Sequence, residues 1–147
     1  MDCSHKRTLV IDKKNTYTVL GELDVSVNAK VRVCEDCGEE IFDMELDEAN
    51  TRKAYDKYRQ AKGLLTMGEI KYIRRQLDIS PETMDRLLNC KKGATRHYEE
   101  GGVQTYQYDM LARLLNDTEN VRRMVGFPYS ALTEAEKNNI LEKLEES

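Results

Sequence analysis

LDISPETMDRLLNCKKGATRHYEEG, residues 77–101, decides how the C-terminal part of this chain is read. Ser80 stands where a side-chain oxygen can cap a helix, and Pro81 follows at the first helical position, where a missing N–H costs nothing. Met84, Leu87 and Leu88 supply one apolar face, Asn89-Cys90 reads as a tight turn, and a further helix runs to about Glu100. Tyr98 is expected to turn back into the core and Gly101 to take a left-handed C-cap. Two short helices about a tight turn, in this order, have the rhythm of a helix-turn-helix whose second member can enter a major groove.

Upstream of this stretch, Thr66 is placed to cap a helix over Met67–Leu77 with Ile70, Ile73 and Leu77 on one face. Downstream, Thr105 starts a helix that buries Tyr108, Leu111, Leu114 and Leu115, and Thr133 with Glu136 has capping-box spacing before Ile140, Leu141 and Leu144. One unit of this size makes few base contacts, so a homodimer is expected, with Leu111, Leu114, Leu115, Leu141 and Leu144 as candidates for the shared face.

The N-terminal part reads differently. Val25 to Val33 alternates apolar and polar residues, the period of a half-buried strand, and Thr8–Ile11 and Tyr17–Leu20 look like its partners. Lys13-Lys14-Asn15 and Gly21-Glu22 read as the turns between them, which predicts a small antiparallel sheet. From Asp47 to Gly63 the pattern becomes a charged helix with a thin apolar face of Ala49, Ala54, Tyr55, Tyr58 and Ala61. The expected class is α+β: a zinc-binding β domain over 1–46, a connecting helix over 47–64, and an all-α helix-turn-helix and dimerisation domain over 65–147.

Cys34-Glu-Asp-Cys37-Gly38 follows directly on the long strand, and two thiolates separated by two residues at such a corner can grip one tetrahedral Zn²⁺. Cys3, about thirty residues upstream, offers a third ligand. Lys6 occupies the place where a second thiolate would complete that pair, and a protonated amine cannot ligate, so His5 is the natural fourth ligand. The expected metal role is structural, because no general base with a binding pocket is evident nearby. Cys90 and His97 suggest a nucleophile and base, yet no third orienting group or oxyanion donor accompanies them, and catalysis is not expected.

The net charge of −4 argues against a nonspecific coating of nucleic acid, so any DNA reader here needs a locally basic face. Arg86 to Tyr98 provides one, holding Arg86, Lys91, Lys92 and Arg96 with no carboxylate. Lys91, Lys92, Thr95, Arg96 and His97 are the expected DNA-contact residues, the lysines through phosphate and Arg96 through guanine. No run approaches the roughly 20 apolar residues that cross a bilayer and the N-terminus lacks a signal-peptide pattern, so a cytoplasmic protein is expected, with thiols kept reduced.

A Cys-x-x-Cys-Gly-Glu sheet, a helical connector and a helix-turn-helix closing on Tyr98-Glu99-Glu100-Gly101 together resemble the MqsA/YgiT-type antitoxins, over roughly residues 1–117. The resemblance implies an Xre-like helix-turn-helix, zinc in the N-terminal domain, dimerisation mainly through the C-terminal domain, a toxin partner that is often a messenger-RNA-cleaving ribonuclease, and autorepression through operator DNA. It also implies that the family's base-reading Asn and Arg fall on Gly93 and His97, and that its phosphate-touching Gln falls on Pro81. Two other readings of the residues are a stand-alone zinc-containing transcriptional regulator and a protein-interaction module that has lost DNA binding.

Overall fold

The computed structural model of the protein describes residues 3–146. It is mixed α+β, a three-stranded antiparallel sheet followed by helices, and it divides into two compact units, one ending at Ala61 and one beginning at Lys62.

In the first unit β1 (Thr8–Val19), β2 (Leu23–Cys34) and β3 (Glu40–Ile41) lie in the order β1-β2-β3. The alternation in β2 buries Val25, Val27, Ala29 and Val31 on one face, as its pattern predicts. The two short partner strands are a single strand. Lys13-Lys14-Asn15 is not a turn but pairs with Ala29, Asn28 and Val27, because β2 offers twelve consecutive partners and a break in β1 would leave some of its N–H and C=O groups unpaired. The hairpin turns over Leu20-Gly21-Glu22, which includes the expected Gly21-Glu22; Leu20 and Gly21 have positive φ, and the Glu22 N–H closes the turn on the Val19 carbonyl at 3.0 Å. β3, which pairs with Arg32 and Val33, has too little pattern to be read from sequence.

Helix α1 (Met44–Lys62) begins where the Asp43 carboxylate accepts the Leu46 N–H at 3.1 Å. It takes over the β2 edge that the short β3 leaves open. The Asn50 amide donates to the Lys30 carbonyl (2.9 Å) and accepts the Lys30 N–H (3.0 Å), and Lys53 and Lys57 reach the carbonyls of Asn28 and Ser26. Steps of three and four residues along the helix thus match steps of two along the strand, and the helix stands in for a missing strand. Its buried face is Asn50, Ala54, Tyr58 and Arg59, while Ala49 and Ala61 of the expected apolar face are exposed.

The second unit contains α2 (Met67–Gln76), α3 (Pro81–Leu87), α4 (Ala94–Glu99), α5 (Tyr106–Leu114), α6 (Thr118–Val125) and α7 (Glu134–Glu146). Thr66, Ser80 and Thr105 cap α2, α3 and α5 through their side-chain oxygens, and Thr133 and Glu136 form a reciprocal box before α7. No helix is expected from the sequence pattern where α6 lies. It starts on an Asp117 cap and buries Val121 and Val125. The core gathers Ile70, Ile73, Met84, Leu87, Tyr108, Ala112, Val121 and Ile140. Leu115 and Leu144, expected on a dimer face, are instead in this core, which α6, with Val121 and Val125, helps to complete. The exposed apolar stripe of α5 is Tyr106, Met110 and Leu114, spaced four apart. Among the described residues no helix is long and apolar enough to cross a membrane.

Candidate functional site

The end of β2 carries Cys34 into a tight corner. The Gly38 N–H closes it on the Cys34 carbonyl at 2.8 Å, and Gly38 has φ +78°, a left-handed conformation that favours glycine. Two backbone bonds clamp this corner to its surroundings: the Cys34 N–H donates to the Glu39 carbonyl and the Glu35 N–H to the Arg7 carbonyl, both at 2.9 Å. The second bond lays the segment before β1 against the corner and brings Cys3 and His5 to it.

There the four expected ligands converge. Cys3 Sγ lies 3.5 Å from Cys34 Sγ, His5 Nδ1 lies 3.5 Å from Cys37 Sγ, and one donor atom from each residue lies within 4.8 Å of all the others. Such a cluster of three sulfurs and one imidazole can hold a metal ion. His5 has φ +51°, which turns its ring to the cluster while Lys6 is left exposed. Glu39, which the sequence reading missed, meets the far side of the ring, with Oε2 3.2 Å from His5 Nε2.

The electrostatics favour a thiolate before any metal arrives. The His5 side chain, then the backbone N–H groups of Cys37 and Asp36, bring the Cys34 thiol down to about 6. His5 is raised in turn, chiefly by its contact with Cys34. The His5 backbone N–H pulls Cys3 down, but Cys34, burial and Cys37 outweigh it and Cys3 is raised. Metal binding needs deprotonated thiols, and Cys34 is the first to supply one.

The expected DNA-contact residues do not share one environment. Lys91 and Lys92 are exposed in the loop before α4 rather than on a helix, because Gly93, with φ +87°, delays the helix to Ala94. Arg96 is exposed and pairs with Glu82 on α3 at 2.6 Å, which lowers the Glu82 carboxyl below its ordinary range. His97 is exposed, with its ring against Gly102 so closely that a Cβ there would overlap it. Thr95 is withdrawn from the set. It is completely buried, its hydroxyl 2.8 Å from the Tyr108 hydroxyl, so it cannot touch a duplex.

What holds the α3–α4 turn is Asp85, invisible to sequence reasoning. Only 3% exposed, it accepts the Gly93 N–H (2.7 Å) and the Thr95 N–H (2.8 Å), so α4 is capped from the preceding helix. Cys90 packs beside it, and burial first, then the Asp85 charge, push its thiol up to about 12, far from the range of a nucleophile. Tyr98 does turn inward, meeting Tyr108 edge-on at 4.7 Å, whereas Gly101 takes φ +130°, positive but outside the left-handed helical region.

Comparisons of the chain with models of known protein families, with characterised proteins and with solved structures find no match.

Proposed function

We propose that this protein is a DNA-binding antitoxin of the MqsA/YgiT type that represses its own operon, with a structural zinc ion in the sheet unit and a helix-turn-helix, α3 to α4, in the helical unit. The observation that carries the DNA reading is the surface of the α3–α4 turn. Lys91, Lys92 and Arg96 stand outward there while Asp85, Thr95 and Tyr98 hold the same turn from inside. The lysines are suited to phosphate, and Arg96, once it leaves Glu82, to the edge of a guanine.

Zinc is favoured by donor chemistry and spacing. Bonds of about 2.3 Å to sulfur and about 2.05 Å to nitrogen at tetrahedral angles imply edges of about 3.8 Å between sulfurs and about 3.6 Å between sulfur and nitrogen. The Cys3–Cys34 sulfur pair and the Cys37–His5 sulfur–nitrogen pair, each at 3.5 Å, lie close to these edges, and all four donor atoms fall within 4.8 Å of one another. Cys3, His5, Cys34 and Cys37 would hold the ion, which would tie the segment before β1 to the end of β2 in a unit whose core is little more than Val19, Val25, Val27, Ala29, Val31, Ala54 and Tyr58.

A protein partner is supported by β1, a sheet edge on which Leu9, Val10 and Ile11 are each about two-fifths exposed. Such an edge invites another chain, and a toxin is the occupant the antitoxin reading supplies. Dimerisation belongs to the same proposal, with Leu114 kept from the expected leucines and joined on the exposed stripe of α5 by Tyr106 and Met110. A mobility-shift comparison of the promoter of the protein's own gene with a shuffled duplex of equal composition tests the reading. Preferential retardation of the promoter is expected, and equal weak binding to both duplexes would leave the protein-interaction reading instead.

A further inference from the structure

Of the four residues that could hold the metal, only His5 offers a choice of donor atom, and its two nitrogens face different chemistry. Nδ1 lies 3.5 Å from Cys37 Sγ, inside the cluster, and Nε2 lies 3.2 Å from Glu39 Oε2, outside it. A neutral imidazole carries one N–H, and a carboxylate can only accept, so the proton belongs on Nε2 and the free lone pair on Nδ1, among the sulfurs. Glu39 is itself anchored to the corner, since its carbonyl accepts the Cys34 N–H at 2.9 Å. One residue therefore grips one candidate ligand by its main chain and another by its side chain.

We infer that Glu39 is a positioning residue of the metal centre, which orients His5 to ligate through Nδ1 and thereby makes good the thiolate that Lys6 does not supply. The inference rests on the metal reading of Cys3, His5, Cys34 and Cys37 and deepens it. His5 needs such a tether. Its backbone is in the left-handed region, uncommon for a residue with a side chain, and its ring is a neutral donor beside three sulfurs. A carboxylate on the far nitrogen fixes the tautomer and the ring orientation and strengthens the donor, an arrangement whose loss typically costs ten- to a hundredfold in metal affinity. The Glu39 side chain is 68% exposed, so replacing it opens no core and leaves its main-chain bond to Cys34 in place.

The test uses the full chain loaded with Zn²⁺. Two-bond ¹H–¹⁵N correlation of the imidazole rings reports which nitrogen is metallated, and with only His5 and His97 in the sequence the assignment is direct. Competition against a chromophoric chelator reports affinity for the wild type, Glu39→Gln and Glu39→Ala. The expected result is metal on Nδ1 and a proton on Nε2 in the wild type, affinity about tenfold weaker in Glu39→Ala, and a smaller loss in Glu39→Gln, whose amide oxygen still accepts. Metal on Nε2 of the wild type, or both variants within twofold of wild-type affinity, overturns the role of Glu39 and leaves the metal reading standing. A wild-type chain that takes up no zinc overturns both.

Discussion

Asp85 shows how much one side chain decides in the helical unit. Its carboxylate, buried on α3, accepts the N–H groups of Gly93 and Thr95 and so fixes where the turn ends and α4 begins. Lys91 and Lys92 are displayed by that turn, and a change at Asp85 reaches the proposed DNA surface without touching it. Asp85→Ala strands two N–H groups, one of them on the buried Thr95, and should lower the stability of the helical unit by about 2–3 kcal/mol, since bonds to a charged acceptor carry about 1.5–3 kcal/mol each and water can enter part of the space. Urea titration monitored by tyrosine fluorescence checks this, and a loss below about 0.5 kcal/mol would mean that the carboxylate is not the cap. At the candidate metal cluster, His5 is the residue on which this chain differs from a four-cysteine site, and it takes a left-handed backbone there.

At the scale of elements, α7 is joined to α3 by Glu136. Its carboxylate takes the Arg86 guanidinium at 2.6 Å and the Thr83 hydroxyl at 2.7 Å while also accepting the Thr133 N–H at the start of its own helix. Arg86 first, with the Thr133 N–H and the Thr83 hydroxyl, brings Glu136 down to about 2 from an ordinary value of 4.5 against the opposing effect of burial. A depressed carboxylate stabilises the fold when ionised, so its contribution is complete above about pH 4.5 and is lost as pH falls through about 2. Glu136→Gln should therefore flatten the fall of the thermal midpoint across that window, and parallel curves for the two proteins would exclude the contact as a source of acid lability. The caps at Thr66, Ser80, Thr105 and Thr133 were legible because each signal lies within three residues of what it caps. The convergence of Cys3, His5, Cys34 and Cys37 was legible from ligand spacing on the two sides of a hairpin. The contacts of Glu39 with His5, of Asn50 with Lys30 and of Glu136 with α3 were not, since each joins residues 20 to 53 apart in sequence. Lys13-Lys14-Asn15 misled for a related reason: a local turn signal lost to twelve consecutive pairings with β2.

Over the whole molecule the two units rest on different physics. The sheet unit has a small core of valines and, among the described residues, a cluster of side chains that could hold a metal ion, whereas the helical unit has a continuous core drawn from α2, α3, α5, α6 and α7. Removing metal with a strong chelator should accordingly abolish slow hydrogen exchange in β1 and β2 and leave α2, α3 and α5 protected, and retained protection throughout the sheet would count against a structural ion. The net charge of −4 leaves little general attraction for nucleic acid, so the proposed DNA binding would rest on local cations, of which Lys91, Lys92 and Arg96 stand outward at the α3–α4 turn. That makes the salt dependence of operator binding the most direct measure of the central claim. Fluorescence anisotropy with the protein's own promoter, recorded for the wild type and for Lys91→Ala/Lys92→Ala between low and moderate salt, should give log K falling linearly with log salt. The variant's slope should be shallower by about two units, roughly one per lost phosphate contact. Equal slopes for the two proteins, with no preference for the promoter over shuffled DNA, would contradict it.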